Sequence, residues 1–268
     1  MHQDRFKSFV QSYQPFPFEM ETDRESHYEG THFLHVNAYR YWRILKLLHS
    51  SQQLGSLLDV GCYPGTFLRC VNHFFPAVKQ YGIGLGMGEE FRRSLPQATL
   101  FSVNLDPDVF FEGYHQTPTR FPFDDGAVQA VVATEVFEHL YNPFHMVKEI
   151  GRVLSKGGWC YLTTNNITHL PGVVQLLRGN SNIESDTRFT TLQYGEKTDW
   201  RGHVRFYSRN ELREAFAMAG FSDIRINYFN IETWYKNKRR NAAHACVQKM
   251  LNLSHSRFCN RLEVIAYK

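Results

Sequence analysis

Two stretches of the chain carry side chains that could do chemistry. "TEVFEHL" holds Glu135, Glu138 and His139. Positions i, i+3 and i+4 share one face of a helix, so a helical turn here would converge two carboxylates and an imidazole. Such a set suits a divalent cation or a proton acceptor. "LLDVGCYPGTF", residues 57–67, is an apolar run that ends on Asp59 and then breaks into a turn containing Gly61 and Gly65. A strand ending in an acid, then a glycine turn, then a helix puts backbone N–H groups and a positive helix end at the carboxyl edge of a parallel sheet, where open α/β sheets bind ligands. A dinucleotide would need glycines spaced G-x-G-x-x-G and N–H donors for its pyrophosphate. Gly61, Gly65 and the donor-free Pro64 do not supply them.

The elements that must position these residues read as alternating strands and helices. "SLLDV", "VKQYGIGL", "ATLFSVNL", "QAVVATE" and "WCYLTTN" are short apolar strands. Between the first two, "TFLRCVNHFF" places Phe67, Val71 and Phe74 on one helical face. A later helix opens at Asn142 and Pro143, buries Phe144, Val147, Ile150 and Leu154, and is predicted to stop at Lys156-Gly157-Gly158. Ser208 and Glu211 form a capping box, Gly220 ends that helix, and "DIRINYFN" and "RLEVIAYK" supply two last strands around a helix near 240–252. "VNAYRYWRILKLLHS" is an amphipathic helix ahead of the first strand. Residues 1–30, polar, aromatic and without sustained periodicity, read as an arm or lid. Residues 166–204 read as an excursion over the sheet edge. The alternation specifies an α/β fold with a mostly parallel sheet and helices on both faces.

Bulk composition excludes several classes. A net charge of +4 over 268 residues is too mild to argue for nucleic acid, and the local cluster Lys236, Lys238, Arg239 and Arg240 reads as a solvated helix start. Five cysteines, an odd number without C-x-x-C spacing, favour neither a disulfide framework nor a zinc cluster and read as reduced, mostly buried thiols. No stretch approaches the roughly 18 apolar residues of a membrane span. The expectation is a soluble, cytoplasmic protein.

A cofactor without phosphate, S-adenosylmethionine, asks a glycine turn mainly for room and a few backbone contacts. Here the chain resembles the class I S-adenosylmethionine-dependent methyltransferases. "LLDVGCYPGTF" is similar to their first motif, D-x-G-x-G-x-G, with Tyr63 at the middle glycine. Residues 121–166, "FPFDDGAVQAVVATEVFEHLYNPFHMVKEIGRVLSKGGWCYLTTNN", and "GHVRFYSRNELREAFAMAGF" resemble the subgroup that includes ubiquinone-type O-methyltransferases and many glycan and natural-product enzymes. The resemblance spans roughly residues 35–268 and implies a Rossmann-like seven-stranded sheet, with residues 1–34 as an N-terminal arm and about 166–204 as a lid insertion. Pro64 pushes the residue before it toward extended geometry, so the turn can keep its path without the middle glycine. The Tyr63 phenol then either crosses the cofactor's methionine end or covers the turn.

The resemblance implies cofactor contacts from Asp59, Gly61, Tyr63, Gly65 and Thr134, and from Asn104 or Asp106 near the adenine. The family usually ends its second strand in an acid that holds the ribose hydroxyls. This chain has Gly84 or Gly86 there, with Glu89 and Glu90 a helical turn later as substitutes. The E-x-x-E-H pattern of Glu135, Glu138 and His139 also resembles a metal site in some ubiquinone-type enzymes and in small-RNA 3′-end ribose methyltransferases, where a later histidine, here His203, completes the set. Two carboxylates and two imidazoles suit Mg²⁺, Mn²⁺ or Zn²⁺. Otherwise His139 is a general base or a polar pocket residue. The expected activity is methyl transfer to a hydroxyl of a small-molecule, lipid or glycan acceptor. An RNA ribose 2′-O-methyltransferase and a noncatalytic methyltransferase-like partner protein are the alternatives.

Overall fold

The computed structural model describes residues 1–16, 33–51, 54–106, 118–183, 202–231 and 256–268. The predicted helix near 240–252, the basic cluster at 236–240 and the middle of the 166–204 excursion lie outside the described residues. Two helices, α1 (Gln3–Ser12) and α2 (Phe33–Ser50), precede β1 (Ser56–Val60), α3 (Thr66–Phe74), β2 (Lys79–Gly84), α4 (Glu89–Ser94) and β3 (Ala98–Ser102). Then follow β4 (Val128–Thr134), α5 (Pro143–Val153), β5 (Leu154–Asn165), α6 (Leu170–Leu177), α7 (Arg209–Met218), β6 (Asp223–Phe229) and β7 (Arg261–Tyr267).

The seven strands form one sheet in the order β3-β2-β1-β4-β5-β7-β6. All neighbouring pairs are parallel except those made by β7, which runs antiparallel to both β5 and β6. This is the Rossmann-like, mostly parallel sheet expected. Strand order reverses between β1 and β4, and ligands of open α/β sheets bind in the crevice such a reversal opens at the carboxyl edge.

Both faces of the sheet are buried, which explains why its strands read as apolar runs rather than as alternating patterns. Along β4, Val131 and Ala133 join one core with Met146, Val147 and Ile150 of α5 and with Leu212 and Phe216 of α7. Ala130 and Val132 join the opposite core, which gathers residues of α1, α2 and α3. Helix α1 lies where the sequence shows no sustained periodicity. Two residues one turn apart, Phe6 and Val10, suffice to bury it.

Local signals hold at most helix ends. Asn142 accepts from the backbone N–H of His145 with Pro143 in the first turn, and Ser208 and Glu211 make the reciprocal capping box. One predicted stop is corrected: α5 ends at Val153, and Lys156-Gly157-Gly158 lies inside β5, beside an irregularity in the pairing with β4. The glycines bend a strand there rather than close a helix. Cys62, Cys70, Cys160 and Cys259 are buried and form no disulfide with one another, as their pattern suggests. No helix among the described residues is long and apolar enough to cross a membrane.

Candidate functional site

The turn after β1 is built tightly against two neighbours. Gly61 and Gly65 both have left-handed backbone, φ 73° and 86°. A Cβ on Gly61 would stand 2.5 Å from Val136 Cγ2, and one on Gly65 would stand 2.5 Å from Leu95 Cδ1. Only glycine avoids both the φ penalty and the collision. The Gly61 contact matters for function, because it presses the β1 turn onto the loop that follows β4, across the strand-order reversal. Gly65 then begins α3. Glu135 alone among the described non-glycine residues has positive φ, so Tyr63 is not left-handed, in keeping with the proline that follows it. Its ring rests against Phe91, 5.3 Å between centroids, and stays 43% exposed, so the phenol covers the outer side of the turn.

Asp59 is the buried acid of this turn. It is only 4% exposed, and no hydrogen bond or ion pair to a described residue offsets the loss of water. Burial alone pushes its carboxyl well above the usual range. A desolvated, unpaired acid is costly, and a cationic ligand would relieve that cost.

At the end of β2, Gly84 packs with the Met87 methyl 3.0 Å from where a Cβ would sit. The substitutes suggested by the sequence point elsewhere: Glu89 pairs with Arg93 at 2.7 Å with its side chain 83% exposed, and Glu90 is exposed. Beyond β3 the two candidates separate by role. Asp106 is fully buried, and its carboxylate accepts from the backbone N–H groups of Tyr141 (2.7 Å) and Asn142 (3.1 Å), tying the approach to α5. Asn104 Oδ1 accepts from the Asp106 backbone N–H at 3.0 Å, which orients the segment. Thr134 closes β4 opposite Thr163 of β5.

Past Thr134 the chain does not continue into the helical turn that would align Glu135, Glu138 and His139. Glu135 takes φ 54°, and only Phe137–His139 form a short 3₁₀ turn. Glu135 is thereby turned away from the other two. It accepts from Thr163 Oγ1 (3.0 Å) and Arg261 Nε (2.5 Å), with Arg40 Nη2 at 3.5 Å. Burial works to raise its pKa, but Arg261 and Arg40 hold it down at about 2. Of the four ligands expected from sequence, three stand together among the described residues.

Glu138, His139 and His203 do converge, each offering a ligand atom within 4.8 Å of the others. The Glu138 carboxylate is fully buried and accepts from Thr164 Oγ1 (2.8 Å) and Asn165 Nδ2 (3.0 Å), while its backbone carbonyl accepts from Val204 N–H at 2.8 Å. Burial, reinforced by the charge of Glu135, lifts its pKa to about 8. His139 Nδ1 lies 3.3 Å from the Gly202 carbonyl oxygen. Donation from Nδ1 would leave the lone pair on Nε2, the form that accepts a proton or binds a metal. The donor set, one carboxylate and two imidazoles with outer hydrogen bonds to the carboxylate, fits a divalent cation.

Several site residues escaped the sequence reading. Arg40 falls on the buried stripe of α2, between Ala38 and Tyr41, and a charged residue in such a stripe is the signal that marks it. Thr163, Thr164 and Asn165 show as a polar end to the apolar run Trp159–Leu162 of β5. Nothing local marks Arg261, whose role depends on β7 pairing with β5.

A family model described as a methyltransferase domain matches residues 33–226. A search of curated protein sequences finds no match. Among solved structures, the chain is similar to a SAM-dependent methyltransferase from Archaeoglobus fulgidus, with 15% identity over 87% of this chain and 94% of the other and a TM-score of 0.53. A SAM-dependent methyltransferase from Thermotoga maritima gives 13% identity, coverage of 98% and 99%, and a TM-score of 0.54. Phosphoethanolamine N-methyltransferase 2 from Haemonchus contortus, solved with S-adenosyl-L-methionine, gives 14% identity, coverage of 95% of this chain and 60% of that one, and a TM-score of 0.53. At these identities the likeness is one of fold.

Proposed function

Because the chain belongs to the methyltransferase-domain family, we propose that it binds S-adenosylmethionine at the β1 turn and methylates a hydroxyl of a small-molecule, lipid or glycan acceptor. The observation that carries the hydroxyl reading is the convergence of Glu138, His139 and His203 on the loop that Val136 presses against Gly61. A hydroxyl must lose a proton as it is methylated, and this is the place where the described chain gathers groups able to take or displace one.

The residues present suit the cofactor in charge. Asp59 is a buried acid with no counter-ion among the described residues, and S-adenosylmethionine carries an ammonium and a sulfonium. Asp59 and the left-handed turn at Gly61 and Gly65 would hold the methionine end, with Tyr63 at the rim, Thr134 beside it, and Asn104 on the adenine side. Asp106 positions that side through Tyr141 and Asn142. When bound, the cofactor supplies a methyl group already activated by its sulfonium. Few protein groups are then required beyond orientation and proton removal. His139 is the acceptor of that proton through Nε2, or a ligand of a divalent ion held with Glu138 and His203. Such an ion would lower the pKa of the acceptor alcohol.

The test is a titration of the protein with S-adenosylmethionine in parallel buffers containing Mg²⁺, Mn²⁺, Zn²⁺ or chelator, followed by methyl transfer to hydroxyl acceptors. Saturable cofactor binding is expected. Its absence in every buffer would sink the reading and leave a noncatalytic partner protein. The three-donor cluster gives an RNA ribose reading a foothold, since a metal held by Glu138, His139 and His203 would lower the pKa of a ribose hydroxyl. Transfer to an RNA 3′ end that a chelator abolishes would establish that reading over the first.

A further inference from the structure

Helix α2 crosses one face of the β5–β7 pair and sets two arginines, Arg40 and Arg43, three residues apart on its inner side. On the sheet beneath, Thr163 stands opposite Glu263 and Asn165 opposite Arg261. Residues directly opposite in an antiparallel pair project from the same face. The two arginines meet different partners there. Arg43 is balanced: its Nε and Nη2 donate to the two carboxylate oxygens of Glu263 at 2.7 and 2.8 Å, and Glu263 also accepts from Tyr161 and Asn227.

Nearer the carboxyl end of β5 the pairing is unbalanced among the described residues. Arg40 and Arg261 share the single carboxylate of Glu135, whose second oxygen is occupied by Thr163. The side chain of Arg40 is 7% exposed, its contact with Glu135 is long at 3.5 Å, and its Nε is buried without a hydrogen-bond acceptor among the described residues. Arg261 spends Nε on Glu135 and Nη1 on the Asn260 carbonyl, and its side chain remains 20% exposed. Glu138 lies close enough to attract Arg261 but makes no hydrogen bond to either arginine, because its two oxygens are turned to Thr164 and Asn165. A buried guanidinium in excess, with an N–H left over, is the arrangement that an incoming oxyanion satisfies. Its oxygens accept from the planar N–H groups in charge-assisted bonds. Asn165, across from Arg261, reaches Glu138 and His203, so the excess charge borders the proton-handling cluster.

We propose that Arg40 and Arg261 form an oxyanion subsite of the acceptor pocket, so that the methylated molecule carries a carboxylate or a phosphate monoester besides the group that receives the methyl. This rests on the methyltransferase reading for the word acceptor, but the anion site stands on the geometry alone.

The experiment is calorimetric titration of the full chain with inorganic phosphate and, separately, with acetate, at constant ionic strength set by chloride. Wild type, R261Q and R261K are compared, each also titrated with S-adenosylmethionine. Saturable binding of phosphate or acetate is expected in wild type, weakened at least about tenfold in R261Q and less in R261K, which keeps the charge but loses the fork. Stronger phosphate assigns a phosphate monoester, and stronger acetate a carboxylate. Should R261Q not fold, R261K carries the comparison. Equal affinity in wild type and the folded variants, or no binding of either anion beyond chloride, overturns the subsite. Failure of S-adenosylmethionine to bind while anion binding still depends on Arg261 refutes the enzyme and spares the site.

Discussion

The imidazoles of His139 and His203 lie 4.8 Å apart between ring centroids, inclined by 39°. They come from segments separated by α5, β5 and α6, and the Glu138 backbone carbonyl joins those segments by accepting from Val204 and Arg205 N–H groups. The pair is therefore a product of the fold.

If the two rings share a metal, H139A and H203A each weaken Mn²⁺ binding by at least about tenfold, with S-adenosylmethionine affinity unchanged. If His139 works as a metal-free base, H139A lowers kcat by roughly 10²- to 10⁴-fold in chelated buffer, and H203A does so far less. Mn²⁺ titrations followed by kcat measurements separate the two. Full activity in H139A would remove the residue from the chemistry altogether.

Glu138 sets a pH dependence with a definite sign. Its carboxyl is lifted by burial, and secondarily by Glu135, from 4.5 to about 8. The folded state then binds the proton more tightly than the unfolded state. The contribution is complete below 4.5 and is lost as the pH rises toward 8. In chelated buffer the Tm of wild type should fall between about pH 5 and pH 8, and that of E138Q should fall less. Parallel slopes would show that Glu138 does not titrate in this window. Metal affinity should climb over the same range, because ligation needs the ionised carboxylate.

Gly84 leaves the end of β2 without an acid. The neighbouring Met87 methyl is the end of a flexible side chain, so an aspartate can be accommodated by a small shift. A charged hydrogen bond contributes about 1.5–3 kcal/mol, so G84D should bind S-adenosylmethionine roughly ten- to a hundred-fold more tightly. Calorimetry reads this directly. Weaker binding in a folded G84D would mean that the ribose does not lie beside Gly84.

Glu135 holds two guanidiniums and sits in left-handed backbone. E135Q removes the charge that compensates Arg40 and Arg261, and breaking a buried ion pair in this way costs about 3–5 kcal/mol. Urea unfolding should show the loss, and added phosphate should restore part of it if the oxyanion subsite exists. Stability within about 0.5 kcal/mol of wild type would place the pair in effectively aqueous surroundings.

The glycine turn, the strand–helix alternation and the helix caps were legible because each is enforced over a few residues. Gly61 and Gly65 announce left-handed backbone, Asn142-Pro143 and Ser208 with Glu211 announce helix starts, and five apolar runs announce a sheet covered on both faces. Local pattern failed where one residue can serve two purposes. Gly157-Gly158 stops helices as readily as it bends strands, and pairing with β4 decided for the strand.

Tertiary structure alone decided the fate of Glu135. Its spacing matches a shared helical face, yet β7 brings Arg261 and α2 brings Arg40 to the end of β4, and the attraction of two guanidiniums draws the carboxylate out of the set. The same holds for His203, which reaches Glu138 through a long return of the chain. Sequence determined which groups are available and which backbone each can adopt. Which of them face one another depends on contacts distant along the chain, and those exist only once the sheet has closed its register.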